Sequence, residues 1–368
     1  MKSFTPIFYL AIAILCSPLS LLGQAKYSND FLNIGVGARA HGMANAQVAS
    51  VQDATASFWN PAGLTQLQAP FQVGAMHAEW FAGIAKYDFI GIAKPLDEEK
   101  NSAIGLSVVR LGIAGVPNTL RLYEPDGSVN YDNVTEFSSA DYGIFFSYAR
   151  AVNIKNQKLY IGGNAKIIRR VIGTFGNSWG FGRDLGIQYR YKNWRFGLVG
   201  RDITTTFNSW SFTLTEDEKT VFVSTGNEIP ESSVEITRPR FSFGSAYQAK
   251  LSEKISLLTA LDFDITTDGQ RNVLISSANG INLDPRLGLE LNYNNFLFLR
   301  GGVGNFQRAR DDLDPDREIL TMQPNFGIGL RLGRLYIDYA LTDIGDVSQA
   351  LYSNIFSVVL HFKERSRS

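Results

Sequence analysis

From about residue 70 onward, apolar side chains alternate with polar or small ones, one position in two. A period of two marks strands whose two faces meet different surroundings. The alternation divides into fourteen runs: 71–79, 84–95, 101–112, 136–152, 157–172, 180–191, 193–203, 238–252, 254–266, 283–293, 296–308, 320–332, 334–344 and 350–362. Most are about 10 to 15 residues long. Strands of water-soluble sheets usually have about 5 or 6, whereas about 9 to 11 tilted residues cross a bilayer. In 334–342, Leu335, Ile337, Tyr339 and Leu341 share one face, and Tyr336, Asp338, Ala340 and Thr342 share the other. In 286–293, Leu287, Leu289, Leu291 and Tyr293 oppose Arg286, Gly288, Glu290 and Asn292. The last run sets Phe356, Val358, Leu360 and Phe362 against Ile355, Ser357, Val359 and His361. A lipid-facing exterior around a polar interior needs this dyad pattern.

The connections sort themselves. After the second run, short ones of about 5 residues or fewer alternate with longer ones of about 5 to 34. Outer-membrane barrels have short periplasmic turns and longer outer loops. The pattern predicts an all-β transmembrane fold, a 14-stranded antiparallel outer-membrane β-barrel over residues 70–362. An even strand number puts both termini in the periplasm, with 363–368 as a periplasmic tail. Residues 1–24 read as a signal peptide. Lys2 precedes the apolar core 6–16, and small or polar residues follow. Bulky Leu15 before Cys16, the chain's one cysteine, argues against a lipid anchor there.

Residues 25–69 break the alternation. They are rich in alanine and glycine, and "SFWNPAGL" (57–64) carries a helix start, with Asn60 as cap and Pro61 at the first helical position. A barrel of this size leaves a lumen, so the segment is expected to be an internal plug. Composition agrees with a sheet protein of tight turns and aromatic belts: 25 Phe, 15 Tyr and 34 Gly in 368 residues. Lys+Arg and Asp+Glu are equal at 35 each, which gives no basic surplus for nucleic acid. Trp80 and Phe81, between the first two runs, fit an outer aromatic girdle.

The stretch "GARAHGMANAQVAS…DATASFWNPAGL" resembles the N-terminal region of the PorV/PorQ family, outer-membrane proteins of the type IX secretion system. That family is distantly similar to the fatty-acid transporter FadL, also a 14-stranded barrel with an N-terminal hatch and an Asn-Pro-Ala motif. Asn60, Pro61 and Ala62 match the shared motif. Phe31, Gly37, Ala38, Arg39, Ala40, Gly42, Asp53 and Trp59 look PorV-like. The resemblance implies a shuttle in an outer-membrane lipid setting. Its partners would be the translocon, attachment-complex proteins and the C-terminal signal domains of secreted cargo. The alternative is a FadL-like transporter of hydrophobic small molecules.

Enzyme chemistry is not suggested. His41, His77 and His361 are scattered, and Ser357 and His361, four apart on one strand, lie about 13 Å from each other. No cofactor or metal site is expected. Asp312, Asp314, Asp316 and Glu318 have the spacing of oxygen ligands, but arginines interleave and no EF-hand glycine is placed, so a solvated loop is the simpler expectation. Arg190, Arg195, Arg201, Asp262, Asp264, Arg286, Glu290, Arg331 and Asp338 are expected to face the lumen, as a lattice holding the plug or as solute selectors. The loop 204–237 is unusually apolar for an aqueous loop. Its runs 209–215 and 219–225 suggest a hairpin, and Phe207, Trp210, Phe212, Val221 and Phe222 form a candidate partner-binding patch.

Overall fold

The computed structural model describes residues 28–80, 83–124, 126–155, 157–267, 269, 273–277, 280–310, 314, 317–342 and 352–363. Seventeen strands are present: β1 Phe71–Trp80, β2 Ala85–Pro95, β3 Ser102–Asn118, β4 Thr135–Ile154, β5 Gln157–Ile172, β6 Gly176–Tyr191, β7 Trp194–Arg201, β8 Thr206–Phe212, β9 Val234–Thr237, β10 Arg240–Lys250, β11 Ile255–Thr266, β12 Ile275–Ser276, β13 Asn282–Tyr293, β14 Leu297–Arg310, β15 Glu318–Leu332, β16 Leu335–Thr342 and β17 Ser353–Phe362. Fourteen of them close a ring. Each of β1 to β6 pairs with the next, β7 pairs with β10, β10 with β11, and β11 with β13. The ladder then runs through β17 back to β1, from Phe71↔Phe362 to Glu79↔Asn354. All pairings are antiparallel. Each of the fourteen runs expected from the alternation overlaps one of these ring strands, several of which extend beyond it.

The dyad pattern survives into three dimensions. Along β6 buried and exposed positions alternate: Ser178, Asp184 and Gln188 point inward, while Trp179, Phe181, Leu185 and Ile187 point out. No helix among the described residues is long and apolar enough to cross a membrane. A closed ring of strands is the other form in which a chain can cross one, because closure removes the sheet's open edges.

The three strands outside the ring are short. β12 pairs with two residues of β13. β8 pairs with the upper half of β6, and β9 pairs with β8. The expected hairpin between 209–215 and 219–225 is therefore corrected. Residues Glu216–Ser224 form a helix, started by a capping box in which Thr215 and Glu218 each bond the other's backbone N–H. The sequence "TEDE" announces that box. β8 takes β9 as its partner instead.

Residues 28–70 lie inside the ring. They contain short helical turns at Ala38–Gly42, Ala56–Trp59 and Pro61–Gln66. Their backbone and side chains bond strands around the circumference: Ala38 N–H to Ser357 on β17, Arg39 to Glu290 on β13, Val48 N–H to Asp262 on β11, and the Ser57 carbonyl to Asn164 on β5. The core is the interface between this segment and the wall: Phe58, Trp59, Leu64, Tyr87, Phe89, Phe145 and Ile168 belong to one buried cluster. The pairing of β1 with β17 puts Phe71, the start of the first strand, and Phe362, the end of the last, together on the short-turn side. The described start of the chain does not share that side. Ser28 and Asn29 bond Asn208 and Thr237 near the long-loop end. The signal-peptide and tail assignments fall outside the described residues.

Candidate functional site

The inner segment is seated by missing side chains. Gly162, Gly186, Gly197, Gly244, Gly288 and Gly302 face inward from six different strands, and each meets the segment where a side chain would stand. A Cβ on Gly302 would lie 2.5 Å from the Ala44 nitrogen, one on Gly288 2.7 Å from the Met43 oxygen, and one on Gly162 2.5 Å from the Ala62 nitrogen. At Gly162, Gly197, Gly288 and Gly302 the wall and the segment therefore meet backbone to backbone. Polar links complete the seat. Asn60 donates to the carbonyls of Val48 (3.0 Å) and Ile187 (3.1 Å) and accepts from Ala62 N (3.2 Å), so it caps the turn and ties it to β6 at once. Pro61 opens that turn, and Ala62 is fully buried behind it. Trp59 donates to the Val36 carbonyl at 2.8 Å. Asp53 accepts from Thr55 N and Oγ1 within the segment. His41 hydrogen-bonds the Gly35 carbonyl at 3.1 Å, and burial pushes its imidazole down to about 4, so it stays neutral. Trp80 packs against His41 at 5.7 Å from inside the barrel, which corrects its expected place in the girdle. Phe81 lies outside the described residues.

The nine expected lumen charges all sit on the inward face, but they split into two groups. Glu290 and Asp338 share Arg300 (2.7 Å each), and Glu290 also takes both nitrogens of Arg39, at 2.8 and 3.1 Å. This is an ion pair that joins segment to wall. Asp264 takes Arg240 and Arg286, and Asp262 accepts from Val48 N at 2.8 Å. By contrast Arg190, Arg195, Arg201 and Arg331 have no carboxylate within ion-pair distance among the described residues. Arg190 and Arg195 bond Gln52 and Gln248, Arg201 lies over the Phe58 and Trp59 rings, and Arg331 over Tyr336. Arg240 and Arg300, which hold these carboxylates, were not singled out from the sequence.

The wall is interrupted between β7 and β8. β7 stops at Arg201 and β8 resumes at Thr206, with Asp202 and Thr205 at positive φ (55° and 59°). Gly182, Arg183 and Asp184 of β6 have no ladder partners there. Side chains close the gap. Lys166 binds Asp184 at 2.8 Å and Asp202 at 2.7 Å, all largely buried, and Asp202 N donates to Asp184 at 2.9 Å. Sequence reading did not single out this trio, since a lysine and two aspartates 18 positions apart carry no local signal. A narrow cavity of about 60 Å³ lies inside the break, lined by Leu32, Phe58, Phe145 and Ile236 with Lys166 and Arg201. An apolar groove of about 920 Å³ lies outside it, and Asp184 borders both. On the short-turn side of the segment a polar chamber of about 590 Å³ holds Arg39, Asp53, Arg195, Arg300 and Arg331.

The candidate partner-binding loop divides: β8 packs on the barrel, whereas the helix Glu216–Ser224 has no buried residue. Trp210 is 6% exposed, stacked on Phe212 at 5.6 Å with Arg170 over its ring at 5.1 Å. Phe207 faces outward, Val221 and Phe222 are half-buried, and only their neighbour Val223, at 65%, is well exposed. Of the proposed oxygen cluster, Asp312 and Asp316 lie outside the described residues.

No family signature matches the sequence, and no curated protein sequence is similar to it. Solved structures are similar. A CymD monoaromatic hydrocarbon channel matches with TM-score 0.55 at 14% identity, over 90% of this chain and 98% of that one. The toluene transporter TbuX of Ralstonia pickettii gives 0.51 at 12%, over 89% and 98%. The toluene transporter TodX of P. putida gives 0.52 at 13%, over 90% and 99%. A Pseudomonas aeruginosa FadL homologue gives 0.51 at 12%, over 88% and 97%. At these identities the likeness is one of fold: the chain is a closed 14-stranded antiparallel barrel with the fold of the FadL-like transporters.

Proposed function

We propose that this protein is a non-enzymatic outer-membrane barrel that passes small hydrophobic molecules through its wall rather than along its axis. The observation that carries this reading is the break at 202–205. It has a cavity of mixed lining inside, with Leu32, Phe58, Phe145 and Ile236 among charged and polar groups, and an apolar groove outside; between them stand the Lys166 trio and one backbone hydrogen bond, from Ile203 N–H to the Arg183 carbonyl. The glycine-seated segment blocks the axial route, so a solute entering from the long-loop side meets the cavity first and the break next. The cavity of about 60 Å³ holds little more than water, so entry of a hydrocarbon requires Lys166 and its aspartates to give. The solved barrels of the same fold are described as hydrocarbon channels and toluene transporters, and their chemistry fits an apolar route.

Ile236→Asp places a charge in the cavity at a half-buried position of β9. It is expected to lower uptake of an aromatic hydrocarbon by vesicles bearing the protein, while Ile236→Leu keeps it. Equal uptake by both variants would rule the cavity out of the route.

A secretion component that carries cargo signal domains and docks on a translocon is the second reading. Its support is the PorV-like stretch 31–64, together with the exposed Val223 and Val234 beyond the barrel mouth.

A further inference from the structure

Val73, Ile92, Leu106, Phe146, Ala165 and Arg183 stand in one cross-strand row, on β1 to β6. All six point outward. At about 4.8 Å per strand the row is about 24 Å long. It forms the line of the outer groove, with Ile104, Tyr148 and Leu185 beside it. The groove is hollow for two reasons. Gly163 and Ala165 keep its floor low, and on the other face of the same strands Gly105 and Gly162 let the wall close on Leu64 and Pro61.

Arg183 ends this apolar row. It is exposed, and its guanidinium has no hydrogen-bond or ion-pair partner among the described residues. Tyr191 marks the short-turn end of β6, eight residues below. With a rise of about 3.3 Å and a tilt near 40°, Arg183 stands about 20 Å up a band about 25 Å tall. The aromatics come above it: Phe181 and Trp179 on β6, and Phe207 paired with Phe181. An unpaired arginine below an aromatic girdle, facing hydrocarbon, is costly unless an anion meets it. Lys94, exposed on β2 two residues toward the short-turn side of Ile92, is a second cation on this groove, lower down; two outward arginines above the row have partners. Arg110 pairs with Asp88, and Arg169 bonds Asn177 and lies over Trp179.

We propose that the groove holds one phosphate-bearing lipid of the surrounding bilayer, its acyl chain along Leu106, Phe146 and Ile104 and its phosphate on Arg183. The guanidinium fork suits phosphate. This rests on the membrane-spanning reading above, but not on any transport. The lipid would border the break at Ile203, whose N–H donates to the Arg183 carbonyl at 3.0 Å.

The test is native mass spectrometry of the full chain extracted from membranes in mild detergent, beside Arg183→Gln and Arg183→Lys. One retained phospholipid per chain is expected in the parent protein. Retention should fall at least about tenfold in Arg183→Gln, the scale of losing a charge-assisted hydrogen bond, and partly return in Arg183→Lys. Equal retention in Arg183→Gln, no retained lipid, or a retained lipid without phosphate would overturn the proposal. Recovery of each variant in the membrane fraction with heat-modifiable migration shows that the barrel has inserted. A chain absent from that fraction would instead overturn the membrane reading.

Discussion

Gly162→Val is expected to unseat the inner segment and open the barrel. The new Cβ would stand 2.5 Å from the Ala62 nitrogen, against backbone that cannot rotate away. Overpacking a core usually costs about 1–3 kcal/mol, and more when backbone has to move. The ring does not need the segment for its ladder, so the barrel should still close while Asn60–Leu64 shifts off β5 and β6. Single-channel recording on planar bilayers reads this directly. The parent protein should be nearly silent to ions, and Gly162→Val should show stable open events. Silence in both would mean that the seat tolerates a side chain and that backbone contact is not what seals the lumen. Gly301, whose added Cβ would meet nothing, is the matched control.

Lys166→Met is expected to cost the most stability of any single change in the wall. It leaves Asp184 and Asp202 buried beside each other without their cation, and breaking such a pair costs about 3–5 kcal/mol. The charge-free combination of Lys166→Met with Asp184→Asn and Asp202→Asn should recover much of that, because buried ion groups replaced together are often nearly neutral. Urea titration of heat-modifiable migration gives both values. If Lys166→Met unfolds at the same urea concentration as the parent, the trio does not hold the break closed.

The barrel was legible in the sequence because lipid and lumen impose a period of two on every strand. Runs such as 286–293 and 334–342 carry that period without interruption. The loop lengths gave the sidedness. The inner segment was legible by contrast: it is the one long stretch that breaks the period, and "NPAG" announces its capped turn. What local pattern could not show is what depends on contacts distant in sequence. The seat at Gly162 and Gly288 looks like ordinary strand glycine until the segment is placed against it. The Lys166 trio joins residues on two strands and in the break after a third. The helix at 216–224 was misread because its apolar run "TVFV" suits a strand, while the capping box at Thr215 and Glu218 outweighs that preference. The direction of Trp80 was misread because a residue at a strand end has no following partner to show which face it takes.

The most direct test of a wall route is to measure two quantities on the same reconstituted vesicles: uptake of a labelled aromatic hydrocarbon and ionic conductance. Saturable uptake by the parent protein with almost no conductance is expected, because the break admits an apolar solute while the glycine-seated segment stops ions. No uptake above empty vesicles, or uptake that rises and falls with conductance across the Gly162→Val and parent proteins, would contradict passage through the wall.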